Sequence, residues 1–350
     1  MKAAVYYTNT DVRVEEMPKP TAGEGEIVVK TNACGVCVAD TMEWYNKPKA
    51  PVVLGHEAVG VIEEIGKNVE GFQVGDRVFV HHHVACMSCE ECRKGKYTLC
   101  PQFKATNYKP GGFAEYFKAG PSHVRTDTLK LPDSMSFEEA TLIEPLACVL
   151  HGIERLHVRP SERIAVIGTG TIGLMLIEAL KAYGVTDIVA YERSPWRQKM
   201  AEKKGAKAVR EADADLDKEL KCLEETFGWN QFDIVCVMAK DIKAMEIGMK
   251  LTGKGGKLLL FATPDPEEYL KLYVSEAFFK EMDILLTYSA NHNNTREALR
   301  LISSQKVDAK SYITHRYAMN EVEQAIARTL GRGECLKCIV KVEESEEGEV

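Results

Sequence analysis

The stretch "RIAVIGTGTIGLM", residues 163–175, constrains this chain more than any other. A short apolar run, "RIAVIG", reads as a buried strand, and "TIGLMLIEALKAYG" reads as a helix ending at Gly184. Between them lies Gly168-x-Gly170-x-x-Gly173. Alone, that spacing is a weak signal. Between a strand and a helix it is the context a dinucleotide loop requires. The first glycine permits the tight turn and the second lets the backbone approach a pyrophosphate. The third lets helix and strand pack closely, while the helix N-terminus faces the negative charge. A second strand, "DIVAYE", ends in Glu192, 19 residues beyond Gly173. A carboxylate there holds the adenine-ribose hydroxyls and repels a 2′-phosphate, which favours NAD over NADP. Arg193 follows and is able to meet a phosphate, so NADP stays open. The predicted cofactor contacts are Gly168, Thr169, Gly170, Thr171, Ile172, Gly173, Glu192, Arg193 and Arg197.

The rest of the central segment repeats this texture. "FDIVCVMA", "KLLLFA" and "DILLTYS" are apolar strands separated by helical or polar stretches, and Ser194-Pro195 is a good helix start. Alternating strands and helices predict a parallel sheet covered on both faces. The first 150 residues differ. "EIVVKTNACGV", "AVGVIEEIG" and "DRVFV" read as short strands bounded by glycine and asparagine turns. After about Thr295 come two amphipathic helices, "TREALRLISSQ" and "NEVEQAIART", then a strand-like "CLKCIVKV" and an acidic tail, "EESEEGEV". The 350 residues suffice for two domains.

The net charge of −7 leaves no basic excess for a general nucleic-acid binder. No apolar run is long enough to span a membrane, and the first residues lack a signal-peptide pattern, so a cytoplasmic protein is expected. Eleven cysteines in such a chain point to metal rather than disulfides. Cys86, Cys89, Cys92 and Cys100 are spaced C-x2-C-x2-C-x7-C. Four thiolates wrap one tetrahedral zinc and leave no room for substrate, a structural site; an iron–sulfur cluster is the competing reading. A second, mixed set consists of Cys37, His56, Glu57 and Glu144. A thiolate, an imidazole and carboxylates leave a position open, as a catalytic zinc needs.

In combination these segments resemble the zinc-containing medium-chain alcohol dehydrogenases, near the sorbitol and threonine dehydrogenase branch. The resemblance spans nearly the whole chain and includes "GHE", "GGFAEY", "EPLA" and "ITHRY". It implies an α/β protein with a GroES-like β-rich catalytic domain, residues 1–152 and 291–350, carrying a zinc lobe at about 84–102. A Rossmann domain, 153–290, is inserted, with substrate and nicotinamide meeting in the cleft. It further implies one catalytic and one structural zinc, a small alcohol or ketone substrate, and a homodimer or homotetramer. Cys37 and His56 match zinc ligands, and Glu57 and Glu144 match carboxylates that bind zinc or its water. Asp40 matches an acid that orients the ligand histidine. Trp44 and Phe103 fall where relatives wall the substrate pocket.

Two departures stand out. The usual proton relay has Ser or Thr two residues after the ligand cysteine and, in many members, His five after it. This chain has Ala39 and Met42, and neither exchanges a proton. His83, in "VHHHVAC", falls where threonine dehydrogenases carry a histidine near the substrate, which makes it the candidate acceptor. If that segment continues as a strand, His81 and His83 share one face. The leading expectation is NAD-dependent oxidation of a secondary alcohol: a polyol, sugar-like alcohol or amino alcohol. The alternatives are threonine 3-dehydrogenase, a carbonyl reductase whose substrate supplies its own proton route, and an inactive nucleotide-binding protein. Cys335-x2-Cys338 sits in a strand-like segment, so its side chains are expected on different faces.

Overall fold

The computed structural model describes residues 1–212, 215–331 and 333–342, so the acidic tail lies outside the described residues. The chain forms two units, one of residues Cys148–Ser289 and one of Met1–Ala147 with Ala290–Val350.

In the first of these units the apolar runs form one parallel sheet. Its spatial order is Ala208–Arg210, Ile188–Tyr191, Ile164–Ile167, Phe232–Val237, Thr252–Leu260, Asp283–Leu286. The order reverses between Ile164–Ile167 and Phe232–Val237, and a doubly wound sheet binds ligands at the carboxyl ends beside that reversal. All four residues of Ile164–Ile167 are buried, as are those of Ile188–Tyr191. This is why these strands read as unbroken apolar runs instead of alternating patterns. Helix Pro195–Lys204 begins as the sequence predicts, with Ser194 as its cap and Pro195 in its first turn, and it stops at left-handed Gly205.

The second unit is antiparallel and β-rich. Its main sheet runs Ile313–Ala318, Lys337–Lys341, Ile27–Val36, Glu57–Ile65, Arg77–Val80, Thr128–Lys130, with Tyr116–Ala119 also paired to Ile27–Val36. The C-terminal strand thus lies beside the N-terminal one: Cys338 faces Val36 and Ile339 faces Gly35. A core of Ile27, Val29, Tyr108, Phe113 and Phe117 fills the space beneath.

Two strand-parity expectations fail, both at strand ends. The strand before the histidine triplet stops at Val80, so alternation does not extend through His81, His82 and His83. The last strand begins only at Lys337. Cys335 therefore sits on the turn before it, and its Sγ lies 3.5 Å from that of Cys338 rather than on another face.

Leu258, fully buried in a central parallel strand, reports on this packing. Leu258→Ala is expected to lower unfolding free energy by about 2–5 kcal/mol, measured by urea denaturation.

Candidate active site

Cys37 follows directly on strand Ile27–Val36 and caps the 3-10 turn Val38–Thr41. Its N–H donates to Asp40 Oδ2 at 2.9 Å, and the Ala39 N–H donates to its Sγ at 3.4 Å. The other oxygen of Asp40, Oδ1, lies 3.3 Å from His56 Nδ1. The turn thus holds both the thiol and the acid that orients the imidazole. His56 precedes strand Glu57–Ile65, and ligand atoms of Cys37, His56 and Glu57 all lie within 4.8 Å of one another. Burial works to lower the His56 pKa, but Asp40 and Cys37 override it and hold it well above the histidine value.

Glu57 is fully buried, and so is its partner. Lys337 Nζ donates to Glu57 Oε1 at 2.6 Å and Oε2 at 2.7 Å, and to the Val36 carbonyl at 3.2 Å. Burial lifts the Glu57 pKa, and Lys337 opposes the lift. Burial pulls Lys337 down, but Glu57 overrides it and keeps the ammonium protonated. The space for this carboxylate comes from Gly35, where a Cβ would sit 1.9 Å from Glu57 Oε2.

Glu144 lies on helix Ile143–Leu156. It groups with His81 and His82, again within 4.8 Å, and not with the Cys37 set at that spacing. The two groups adjoin, since the rings of His56 and His82 are 4.9 Å apart. His81 Nδ1 pairs with buried Asp127 at 3.0 Å, and Asp127 also accepts from Thr295 Oγ1 at 2.6 Å. Among the described residues, His81 Nε2 and His82 Nδ1 have no hydrogen-bond partner. His83 is placed differently: its Nδ1 donates to the Thr106 carbonyl at 2.5 Å, and burial pushes its pKa down to about 4.

Trp44 is half exposed on the short helix Glu43–Asn46. Phe103 is buried with Ala85, Cys92 and Cys100, packing the cysteine lobe from inside. Cys86, Cys89, Cys92 and Cys100 converge within 4.8 Å, and backbone N–H groups of Cys86 and Cys89 point at Sγ of Cys100 and Cys86, at 3.3 Å each. Amides aimed at sulfur stabilise thiolates, the form a metal needs. These four sulfurs fit a structural zinc. Cys37, His56 and Glu57, beside two unpartnered buried histidine nitrogens, fit a zinc with an open position.

The glycine loop sits at the carboxyl end of strand Ile164–Ile167. Gly168 takes φ +92°, and a Cβ on Gly173 would lie 2.1 Å from the Gly168 carbonyl. Gly170 precedes helix Thr171–Ala182, whose N-terminus carries no side-chain cap bond. Glu192 is held by N–H groups of Thr169, Arg193 and Ser194 at 2.9–3.0 Å. Arg193 turns to Asp241, 3.7 Å away, and Arg197 lies in the first turn of its helix with its N–H on Ser194 Oγ.

Residues 23–133 match the Alcohol dehydrogenase GroES-like domain family, and residues 171–304 match the Zinc-binding dehydrogenase family. Sorbitol dehydrogenase of Bacillus subtilis is 34% identical over 97% of this chain and 97% of its own length. The chain belongs to the zinc-containing medium-chain alcohol dehydrogenase family. It is an oxidoreductase, with the GroES-like and Rossmann architecture that the resemblance implies. L-threonine 3-dehydrogenase of Bacillus velezensis is another family member, 29% identical over 97% of this chain and 98% of its own. The solved structure of galactitol-1-phosphate dehydrogenase from Escherichia coli matches with TM-score 0.86 at 26% identity, covering 98% of this chain and 100% of that one.

Two residues at this site escaped the sequence reading, Lys337 and Gly35, and for His82 that reading gives only a side chain facing away from His81 and His83. A lone lysine inside the apolar "LKCIV" was the available signal for the first. Lys337→Met is expected to leave Glu57 buried and unpaired, lowering stability by about 3–5 kcal/mol in urea denaturation. Adding Glu57→Leu is expected to restore most of that loss.

Proposed function

We propose that this protein oxidises secondary alcohols of the polyol or amino-alcohol class, passing hydride to NAD. The Cys37–His56–Glu57 cluster, oriented by Asp40 and balanced by Lys337, carries this reading. The substrates named in its relatives, sorbitol, L-threonine and galactitol 1-phosphate, are alcohols bearing further polar groups. Cys37, His56 and Glu57 hold the catalytic zinc, and Cys86, Cys89, Cys92 and Cys100 hold the structural one. When bound, the catalytic zinc supplies a Lewis acid that lowers the pKa of the substrate hydroxyl. Asp40 fixes the His56 ring through Nδ1, and Lys337 holds Glu57 at the head of its strand. The uncapped N-terminus of Thr171–Ala182 receives the pyrophosphate, and Glu192 the adenine ribose, where its charge disfavours a 2′-phosphate.

Ala39 and Met42 offer no proton path. We assign the proton to Glu144, because it lies with His81 and His82 beside the His56 ring, whereas burial holds both His82 and His83 as weak bases. Full zinc removal is expected to abolish NAD reduction across a polyol panel, and turnover that survives it overturns the reading. With both zincs retained, Glu144→Gln is expected to lower kcat by about 10²–10⁴-fold. Ala39→Ser is expected to leave polyol turnover unchanged, since the relay it would restore is not the one in use.

The same proposal includes a homo-oligomer. Strand Asp283–Leu286 is an edge of the parallel sheet, with Phe278, Phe279, Val274 and Leu286 exposed by 65–77% beside it. An open edge flanked by large apolar side chains suits a second copy of the same edge, paired isologously. Light scattering after gel filtration is expected to give a dimer or tetramer for the native chain and a smaller species for Phe279→Glu.

A further inference from the structure

The turn that brings Cys335 to Cys338 builds a site the alcohol chemistry does not use. The two sulfurs lie 3.5 Å apart, and both residues are buried, Cys335 at 6% exposure and Cys338 at 1%. His315, on the neighbouring strand Ile313–Ala318, stands opposite Cys338 in the ladder. A ring nitrogen of His315 and both sulfurs lie within 4.8 Å of one another. Arg328, on helix Val322–Gly331, donates from Nε to His315 Nε2 at 3.0 Å. Thr314 Oγ1 fastens the turn. It accepts from the Leu336 N–H at 3.1 Å, meets the Lys337 carbonyl at 3.3 Å, and lies 3.9 Å from Cys335 Sγ.

A histidine and two cysteines suggest a third metal site, but the imidazole is already engaged on both sides. Its Nε2 accepts from Arg328, so its proton is on Nδ1, which faces Thr314 Oγ1 at 2.9 Å. A guanidinium in contact with the imidazole repels a cation and favours a thiolate. The same two features that weaken a metal site therefore suit sulfur chemistry.

We propose that Cys335 and Cys338 form an oxidisable dithiol, closed to an intrachain disulfide by a peroxide and reopened by a thiol reductant. Cys335 sits on the turn and is the less buried of the two, with Thr314 Oγ1 at 3.9 Å, so it is the attacking sulfur. The hydrogen bonds from Cys338 and Thr314 and the Arg328 charge bring its thiol down to about 6. Its thiolate displaces one peroxide oxygen as hydroxide, which takes a proton to leave as water, and Cys335 becomes a sulfenic acid. The Cys338 sulfur then attacks Cys335 sulfur, the S–O bond breaks, and the second oxygen leaves as water with the Cys338 proton. Two electrons pass from the sulfur pair to the peroxide. Closure needs the sulfurs to approach from 3.5 Å to about 2.05 Å, a movement within reach of a turn that precedes its strand.

The test uses the zinc-loaded, reduced protein exposed to hydrogen peroxide, alkylated after denaturation and cut with a Glu-specific protease. Glu334 and Glu343 flank both cysteines, so they leave in one peptide. The expected product is that peptide, unalkylated and two hydrogens lighter, converted back by dithiothreitol. Cys338→Ser is expected to trap a dimedone-reactive sulfenic acid at Cys335, and Cys335→Ser is expected to give neither product. The native-chain result stands alone if a variant does not fold. Full alkylation of both cysteines after peroxide overturns the proposal. So does protection from alkylation before peroxide that a chelator releases along with a third zinc, which assigns the cluster to a cation.

Discussion

A buried carboxylate needs a partner, and at this site the partner is 280 residues away in the chain. Glu57 opens its strand with no exposure to water, and Lys337 opens the last strand against it. Their pairing depends on the C-terminal strand lying beside Ile27–Val36, so the late segment completes a sheet begun near the N-terminus. Once Glu57 is fixed, much else follows. Its predecessor is His56, His56 bonds Asp40, and Asp40 bonds the Cys37 amide. Gly35, between Glu57 and Ile339 in the ladder, is the absent side chain that makes room.

Burial acts on His56, His82 and His83 alike, and neighbouring charge decides the outcome. His56, His82 and His83 all face desolvation that disfavours the imidazolium. Only His56 has Asp40 and Cys37 close enough to reverse it. His82 is surrounded by other histidines, whose repulsion adds to burial, so it stays neutral. A ring bonded to a carboxylate is oriented by it, as His56 is by Asp40 and His81 by Asp127, whereas His82 is held neutral as a weak base. The triplet thus divides between tasks by environment rather than by residue type. Asp127 supports this by holding His81 through Nδ1 and turning its other nitrogen inward.

The sequence announced what is local. Four cysteines within fifteen residues converge because a short chain can wrap a tetrahedron, and three glycines between a strand and a helix leave the loop few alternatives. The unbroken apolar strands exposed the parallel sheet for the same reason: both faces are covered. The pairing of Lys337 with Glu57 had no such local trace. Nothing in "CLKCIV" names its partner, because strand order, not spacing, creates the contact. Glu144 likewise matched a motif, yet which histidines it meets depends on where a helix start falls against the end of strand Arg77–Val80.

The failures of strand parity share a location with the chemistry. Alternation holds inside a strand, where backbone pairing fixes the pleat, and it lapses one residue beyond the last paired position. Cys37, His56, His81–His83, Gly168 and Glu192 all stand at such limits, as does Cys335 before Lys337. A strand interior commits each side chain to the core or to its opposite face. At a strand end the backbone turns, and side chains from different strands can converge on one point, as sulfur, nitrogen and carboxylate do here. A pattern-based reading is therefore weakest where a rigid sheet assembles a site, and there a buried polar residue carries more information than the period it interrupts.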